Sequence, residues 1–337
     1  MFIQNIWYVA AWADEVGSTP WPTRIIGKPL VIFRQANGDP VALEDICPHR
    51  FAPLSRGKLV GDTIECGYHG LRFGAGGHCV YNPHIGTGEP HKGVRAYPLV
   101  ERDRLLWIWM GQSEAADESL IPRFPWLNEF DRFEMTKPHS MEQAIGYELI
   151  TDNLLDLSHG AYLHPTTLGS EEMANGTSQV RQEGDRIHYQ RFNPRCKVPK
   201  LFWMAGVIGE GESVDFWNDM RWDPPGAFYL EVGVTEPGQT RDRGYRMGSV
   251  HILTPHDETS TTYRWLVFRN FARDDSALTE SIEALVEYAF RREDEPMLLA
   301  VQERMARRDF WDMHPLMFPG DKAAIFARRT IRRLAAL

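Results

Sequence analysis

Two short loops, each carrying one cysteine and one histidine, constrain this chain more than any other feature of its sequence. The first loop reads Cys47-Pro48-His49, the second reads Cys66-Gly67-Tyr68-His69, and sixteen residues lie between them. Two thiolates and two imidazoles suit either tetrahedral zinc or an iron–sulfur cluster with mixed ligands. A zinc site more often takes its cysteines from one loop and its histidines from another. The pattern therefore favours a two-iron cluster, with a zinc ribbon as the alternative.

The loops lie in a β-rich stretch formed by roughly the first 110 residues. Runs such as Pro29–Arg34, Pro40–Glu44 and Leu105–Met110 are short, apolar and separated by Gly, Asp, Asn and Pro, which is typical of strands and turns. Gly74–Gly77 lacks the GxGxxG spacing and precedes the strand-like His78–Tyr81. It therefore predicts a hairpin turn rather than a dinucleotide-binding loop.

A polar, acidic segment with several prolines, Gly111–Pro138, indicates a linker and divides the chain into domains 1–112 and 113–337. The patterns of the second domain predict two helices, and they predict two strands and a turn in the segment between those helices. These are helices over Tyr147–Leu163 and 276–309, with a cap at Ser276 and a kink at Pro296, strands over Phe228–Val234 and Tyr263–Phe268, and a turn at Asn218-Asp219.

The segments CPHR and CGYHG resemble the Rieske [2Fe–2S] motif, Cys-x-His followed about sixteen residues later by Cys-x2-His. By this resemblance Cys47, His49, Cys66 and His69 hold a [2Fe–2S] cluster. Neutral imidazole in place of thiolate makes such a cluster less negative and easier to reduce.

A second group of metal-ligating residues follows in the segment Asn153–His164. His159 and His164 are five residues apart and can converge on one metal if the helix loosens between them, which Gly160 and Pro165 favour. With a Rieske motif upstream, a carboxylate is expected as the third ligand, because two His and one carboxylate leave an open face on non-haem iron. The candidates for this ligand are Glu293, Asp294 and Glu295.

Nearly the whole chain resembles the catalytic subunits of Rieske non-haem iron oxygenases, in the branch of vanillate and dicamba O-demethylases. The resemblance rests on MFIQNIWYVAAW, CPHRFAPLS, VERDRLLWIWMG, DNLLDLSHGAYLHPTTLG and HILTP. It implies an α+β fold, with an N-terminal Rieske β domain and a catalytic domain of helices on an antiparallel sheet. It also implies that His159, His164 and Asp294 are the iron ligands and that Asn153 lies near the iron.

The same resemblance implies a ring of three subunits in which Asp156 connects the two kinds of metal site. Its carboxylate would accept hydrogen bonds from His159 and from His69 of the partner subunit, and so link them.

The implied activity is monooxygenation that O-demethylates a methoxylated aromatic acid and releases formaldehyde. It uses O2, Fe(II) and the cluster, with electrons from NAD(P)H delivered by a partner reductase, with or without a ferredoxin. Hydroxylation or dioxygenation of another small aromatic compound is the alternative within enzymes. The alternative from another class is a Rieske electron carrier without catalysis. A carrier needs only about a third of this chain, which argues against it.

Substrate contacts are expected from His251, Asn218 and Trp217. Leu230 and Leu285 stand where the dicamba-type pocket has polar or aromatic groups, so a substrate other than dicamba is expected.

Composition excludes other classes. Lys plus Arg is 37 and Asp plus Glu is 46, a net charge of −9, which argues against nucleic acid as a partner. Apolar runs are too short to span a membrane, and no basic residue precedes Arg24 as a signal peptide would require. A cytoplasmic protein is expected. The basic stripe at Arg328, Arg329, Arg332 and Arg333 suggests either a solvated last helix or a surface for an acidic ferredoxin.

Overall fold

The computed structural model describes residues 2–84, 92–165, 167–168 and 176–337. They form two compact units. The first contains Phe2–Arg123 together with Thr254–Asp257, and the second contains Phe124–Leu253 and Glu258–Leu337. Residues after 112 still contact the first unit, since Trp7 Nε1 donates to the carbonyl of Asp117 at 2.8 Å. The predicted functional division after residue 112 stays a prediction.

Short antiparallel strands build the first unit. They are β1 (Trp7–Trp12), β2 (Trp21–Ile25), β3 (Lys28–Arg34), β4 (Pro40–Glu44), β5 (Lys58–Val60), β6 (Thr63–Glu65), β7 (Arg72–Phe73), β8 (Cys79–Tyr81), β9 (Ala96–Tyr97), β10 (Leu99–Arg102) and β11 (Leu105–Trp109). Within the described residues they form sheets in the orders β1-β11-β10, β2-β3-β4-β9 and β5-β6-β7-β8. The apolar runs found in the sequence are the buried strands of these sheets, as β3 and β11 show.

The glycine-rich segment forms a hairpin turn, as predicted. Gly77 N donates to the carbonyl of Gly74 at 2.8 Å, and the turn joins β7 to β8. Gly77 has a φ of +77°, in the left-handed region that side chains disfavour. This segment therefore reverses the chain and has no helix after it.

One antiparallel sheet dominates the second unit. Its strands are β12 (Glu134–Met135), β13 (His139–Gln143), β14 (Thr177–Glu183), β15 (Arg186–Lys197), β16 (Ser213–Asp223), β17 (Ala227–Thr235), β18 (Tyr245–Asp257) and β19 (Ser260–Arg269). The order is β12-β19-β18-β17-β16-β15-β14, and β13 also pairs with β19. The predicted strands are therefore confirmed, but the turn predicted at Asn218-Asp219 is wrong, because both residues lie inside β16.

The helices of the second unit are α1 (Tyr147–Leu155), α2 (Gly160–Leu163), α3 (Lys200–Met204), α4 (Ser276–Tyr288), a π-helix (Ala289–Asp294), α5 (Glu295–Met305) and α6 (Lys322–Ala335). Tyr147, Ile150, Thr151, Leu154 and Leu155 are the buried residues of α1. Their spacing of three and four residues puts them on one face of the helix. The predicted α+β class is confirmed. Among the described residues, the structure shows no helix long and apolar enough to cross a membrane.

Both predicted helices are interrupted, and the details correct the prediction. The first ends at Leu155 and resumes at Gly160. The second is capped by Asp275, whose side chain accepts from Leu278 N at 2.9 Å, and not by Ser276. Pro296 lies in the first turn of α5, where a missing N–H costs little, and the irregularity is instead the π-helix before it.

Arg328 is buried within α6 and not part of a solvated stripe. It is 6% exposed, and its guanidinium contacts Asp152 at 2.7 Å and Glu148 at 2.9 Å, both on α1. Its charged group also lies 4.1 Å from the centre of the Phe310 ring. Ion pairs therefore connect the last helix, α6, to α1, the helix that precedes His159.

We expect Arg328→Met to lower the free energy of unfolding by about 1–3 kcal/mol, because the half-buried Asp152 is left without its counter-charge. The exposed Arg332 on the same helix provides the control, since Arg332→Met should change it by less than about 0.5 kcal/mol. Urea unfolding followed by circular dichroism measures both. Equal losses in the two variants would contradict this account.

Candidate metal centres and active site

The two Cys-His loops share one backbone design. Cys47 N donates to Ala52 O and Phe51 N donates to Cys47 O, both at 2.9 Å. In the second loop Cys66 N donates to Leu71 O at 2.8 Å and Gly70 N donates to Cys66 O at 3.0 Å. The fourth residue after each cysteine has a positive φ, +60° at Phe51 and +76° at Gly70. Each loop therefore turns tightly enough to present its cysteine and its histidine on the same side.

The side chains of these loops converge. Cys47 and Cys66 are 1% and 2% exposed and form no disulfide. Burial raises the pKa of the Cys47 thiol, and the neighbouring Cys66 raises it further. The rings of His49 and His69 have centroids 4.3 Å apart, and the buried Nδ1 of His69 has no hydrogen-bond partner. Two buried thiols and an imidazole nitrogen without a partner are what a [2Fe–2S] cluster with mixed ligands requires.

The break between α1 and α2 brings His159 and His164 together. In an unbroken helix, side chains five residues apart point about 140° away from each other. Here His159 precedes α2 and His164 follows it, and their Nε2 atoms lie 3.2 Å apart. His159 Nδ1 is held by the backbone carbonyl of Asp156, so its Nε2 faces His164.

Asp294 completes the group from the end of the π-helix. Its Oδ1 lies 3.2 Å from His164 Nε2 and 3.5 Å from His159 Nε2. The potential ligand atoms of these three residues all lie within 4.8 Å of one another. Asn153 of α1 donates its Nδ2 to the same Oδ1 at 2.8 Å. The arrangement is two imidazoles and one carboxylate, the set that non-haem iron sites use.

Charge and burial in this group act against each other. Burial alone would raise the pKa of Asp294, but hydrogen bonds from His159 and His164 outweigh it and hold that pKa at about 2. Burial likewise opposes protonation of His164, but Asp294 and Glu293 outweigh it and raise its pKa. The group thus attracts positive charge into a buried position, and a divalent cation fits it.

Glu293, a candidate for the third ligand, has a different position from Asp294. Its Oε2 lies 2.7 Å from His164 Nδ1, on the side of the ring away from Asp294, and accepts from Thr167 Oγ1 at 2.6 Å. A carboxylate on the distal nitrogen of a metal-binding histidine fixes the ring's tautomer and orientation. The structure does not bring Glu295 to the three-residue group.

A cavity of about 160 Å³ opens beside the three-residue group. Most of its lining is aliphatic or aromatic, from both the helices and one face of the sheet. The apolar members include Leu154, Leu157, Leu201, Phe202, Phe216, Met220, Leu230, Val232, Met247, Ile282, Leu285 and Phe290. Such a lining excludes water and accepts an aromatic ring.

The structure brings two of the three predicted substrate residues to this cavity. Asn218 and His251 line it, whereas Trp217 does not. Successive residues of a strand point to opposite faces, so Trp217 lies under the other face of β16. There it is fully buried, close against Gly233, and its Nε1 donates to Glu231 at 3.0 Å.

His251 is a buried, uncharged member of the lining. Its Nε2 lies 2.7 Å from the Ser249 hydroxyl and its Nδ1 lies 2.8 Å from the Tyr263 hydroxyl. Burial lowers the pKa of His251 to about 3, although the charge of Asp294 opposes the shift. Sequence reasoning missed Ser249 and Tyr263, since only strand register shows that they reach this ring.

Asp156 lies between the two helices, but its contact with His159 differs from the expected one. His159 bonds the backbone carbonyl of Asp156 and not its carboxylate. The carboxylate's Oδ1 instead accepts from Ser158 N at 2.9 Å and from Ser158 Oγ at 2.5 Å. An Asp at the end of a helix readily accepts a hydrogen bond from the backbone N–H two residues further along, which explains the difference.

Two Cys-His loops in a β domain and a separate two-histidine, one-carboxylate group define a Rieske non-haem iron oxygenase. Residues 6–98 match the Rieske [2Fe-2S] domain, and residues 144–337 match the vanillate O-demethylase oxygenase C-terminal domain. The chain belongs to the vanillate O-demethylase oxygenase family. It is an oxidoreductase that uses a Rieske cluster and non-haem iron, which confirms the predicted family, enzyme class and cofactors.

The similarity to characterised relatives extends over the whole chain. The chain is 37% identical over 332 residues to the oxygenase component of chloroacetanilide N-alkylformylase from Rhizorhabdus wittichii, covering 98% of this chain and 95% of the relative. It is 35% identical to the oxygenase component of dicamba O-demethylase from Stenotrophomonas maltophilia, covering 100% and 98%. The crystal structure of dicamba monooxygenase bound to 3,6-dichlorosalicylic acid matches with a TM-score of 0.93 and 34% identity, covering 99% of this chain and 98% of that one.

We expect His159→Ala or Asp294→Ala to remove the mononuclear iron and turnover while leaving the cluster absorption intact, because the two ligand groups lie in separate units. Cys47→Ser or His69→Ala should disturb the cluster first. Iron and sulfide analysis together with visible spectra measure both effects. A normal cluster in Cys47→Ser, or loss of the cluster in a folded Asp294→Ala, would contradict the assignment.

We expect Glu293→Gln to weaken binding of the mononuclear iron by about 10–100-fold, since an amide fixes the His164 ring less firmly than a carboxylate does. Glu295→Gln is the matched control and should bind iron normally. Titration of iron(II) into the apoprotein under anaerobic conditions measures the affinity. Equal affinities in the two variants would show that Glu293 does not position His164.

Proposed function

We propose that this protein is a monooxygenase that removes a methyl group from an aromatic ether. The observation that carries the proposal is the group of His159, His164 and Asp294 at one end of an apolar cavity. Membership of the vanillate O-demethylase oxygenase family supports it, as does the 35% identity to a dicamba O-demethylase.

The proposal assigns protein ligands to two metal centres, a [2Fe–2S] cluster and a mononuclear iron. Cys47, His49, Cys66 and His69 would hold the [2Fe–2S] cluster within a functional domain of residues 1–112. His159, His164 and Asp294 would hold iron(II) within a domain of residues 113–337. When bound, the cluster stores an electron and the iron activates O2, so that one oxygen atom is inserted and the other leaves as water.

The balance of the reaction needs no further catalytic side chain. A methoxyarene, O2, two electrons and two protons give a phenol, formaldehyde and water. Hydroxylation of the methyl carbon gives a hemiacetal, which collapses by itself to the phenol and formaldehyde. The chain's own residues hold the reactants: Asn153 hydrogen-bonds Asp294, Glu293 orients His164, and the apolar lining excludes water.

The two electrons come from another protein. The sequence has no nucleotide-binding glycine motif, and Gly74–Gly77 is a hairpin turn. We place a reductase that uses NAD(P)H, alone or with a ferredoxin, as the donor. The thiol ligands and NAD(P)H fit a cytoplasmic location.

We further propose that three subunits form a ring in which Asp156 links the two kinds of site. Its Oδ2 accepts no hydrogen bond within the described residues, and the side chain is only half-buried. Phe51 and Tyr68 in the Cys-His loops are 76% and 65% exposed, a large apolar area for a loop tip. These features suit contact between the Rieske loops of one subunit and Asp156 of another.

Removal of an alkyl group from nitrogen is the second candidate, favoured by the 37% identity to chloroacetanilide N-alkylformylase. Purified protein with a surrogate reductase should be given methoxyarenes and N-alkylanilides in parallel. O-demethylation predicts one formaldehyde and one phenol for each O2 consumed. Turnover of the anilides alone would favour the second candidate, and ring hydroxylation without formaldehyde would exclude both.

We expect Asp156→Asn to preserve both metal contents but to slow electron transfer to the mononuclear iron by about 10–100-fold, because the amide presents an NH2 group where an acceptor is needed. Single-turnover kinetics of cluster oxidation measure this rate. Dilution of the wild type until the ring dissociates should slow the same step. Fast transfer in a monomer would exclude the link between subunits and leave the ligand assignments standing.

A further inference from the structure

We propose that Ser249 is a substrate-binding residue, whose hydroxyl donates a hydrogen bond to an acceptor oxygen carried by the aromatic ring of the substrate. Tyr263 fixes the direction of this hydrogen bond and acts through His251. The inference rests on the proposed function and adds a chemical requirement to its substrate. Besides the methoxy group that reacts, the ring needs a second substituent with an acceptor oxygen, such as a carboxylate or a carbonyl.

Three side chains form a line of hydrogen bonds that ends in the cavity. The Tyr263 hydroxyl lies 2.8 Å from Nδ1 of His251, and Nε2 of His251 lies 2.7 Å from the Ser249 hydroxyl. All three residues are buried. Ser249 and His251 line the cavity, whereas Tyr263 is not among its described lining residues. One end of the line is therefore closed, and the other end, at Ser249, faces the substrate.

His251 allows two arrangements of the protons along this line. Burial lowers the pKa of its ring to about 3, so the ring is neutral, and one nitrogen donates while the other accepts. In the first arrangement Tyr263 donates to Nδ1 and Nε2–H donates to Ser249, which leaves the proton of Ser249 without an acceptor. In the second arrangement Ser249 donates to Nε2 and Nδ1–H donates to Tyr263, which leaves the phenolic proton without one.

The surroundings of Tyr263 favour the first arrangement. In the described part of the chain, His251 is the one hydrogen-bond partner of the Tyr263 hydroxyl. The Tyr263 ring packs against Phe290, with the ring centres 5.2 Å apart. A buried O–H without an acceptor loses its hydration and gains nothing in return, whereas the Ser249 hydroxyl faces a cavity in which a ligand can accept from it. Tyr263 therefore donates to His251.

Ser249 is then left as a donor for the substrate. Its hydroxyl accepts from His251, and among the described residues no group accepts from the hydroxyl in turn. Its neighbour across the sheet is the aliphatic Leu230. Hydrogen bonds in a chain polarise one another, so a hydroxyl that already accepts one is a stronger donor of the next. Both ring nitrogens of His251 are already bonded, and we therefore assign the polar contact to Ser249, with His251 and Tyr263 as positioning residues.

The line of hydrogen bonds lies beside the element that carries a metal ligand. Phe290 packs against the rings of both His251 and Tyr263, and it belongs to the π-helix that ends at Asp294. The same side chain thus contacts the line of hydrogen bonds and shares a helix with the carboxylate of the metal group. A substrate ring held by Ser249 at one substituent can present its methoxy group to the metal.

Two sets of ligands of similar shape test the proposal on the holoprotein. The isomers of methoxybenzaldehyde carry a carbonyl that accepts, and the isomers of methoxytoluene carry a methyl group in its place. Calorimetry without reductant measures binding. We expect the aldehyde that binds best to bind about 3–10-fold more tightly than the methoxytoluene with the same substitution pattern. Ser249→Ala should abolish this preference. Met247→Leu is the control, because it changes an apolar residue of the lining on the same strand, and it should keep the preference.

The carbonyl stretching frequency of the bound aldehyde provides a readout that a merely structural role would not move. A hydrogen bond from Ser249 lowers this frequency, which infrared spectra of the aldehyde labelled with carbon-13 at its carbonyl measure. Ser249→Ala should return the frequency to that of a carbonyl without a hydrogen bond. Tyr263→Phe should return it part of the way, because Ser249 can then donate to His251 instead.

Each outcome bears on one statement. An undiminished preference in Ser249→Ala, or an equal loss in Met247→Leu, would overturn the assignment of Ser249. A frequency that changes in Ser249→Ala but not in Tyr263→Phe would overturn the direction set by Tyr263. Formaldehyde release with a surrogate reductase is measured separately. Preferential binding without any formaldehyde would leave the role of Ser249 standing and overturn O-demethylation.

Discussion

The interruption of two helices is the constraint on which the catalytic unit depends. An unbroken helix would point His159 and His164 about 140° apart, and neither could share a cation with the other. The chain instead leaves helical geometry after Leu155, turns at Asp156 and resumes at Gly160, which brings the two Nε2 atoms to 3.2 Å. The π-helix before Pro296 ends at Asp294 and delivers the carboxylate to the same place. Irregular backbone within otherwise regular helices thus assembles the site, as is common for π-helical turns.

Support for that site comes from contacts that reach far along the chain. Arg328, near the end of the sequence, holds Asp152 and Glu148 on the helix that leads to the break. Glu293 holds the distal nitrogen of His164, and the adjacent Asp294 faces the opposite nitrogen. Two consecutive carboxylates therefore contact one imidazole from both sides. This is possible because successive side chains of a helix diverge around its axis.

The sheet and the helical segments make different contributions to the cavity. Strands β16, β17 and β18 place alternate residues on the face that lines the cavity, and these residues are mostly apolar. The polar residues that these strands contribute to the lining are Asn218, Ser249 and His251. In this chain the sheet supplies an apolar wall of the cavity, and the helical segments supply His159, His164 and Asp294.

Much of this protein follows from its sequence alone. The spacing of Cys47, His49, Cys66 and His69 favoured the cluster over zinc, because each loop carries one cysteine and one histidine. The strands β4 and β11 and the start of α1 were readable from local apolar patterns. The family, the fold class and the types of ligand could all be predicted before the structure was known. The three-dimensional structure is needed to see that Glu293 and Asp294 lie on opposite sides of the His164 ring. It is also needed to see that Asn218 and not Trp217 lines the cavity, and that Arg328 contacts Asp152. Those positions depend on strand register, helix breaks and contacts between residues more than a hundred positions apart, which local patterns do not encode.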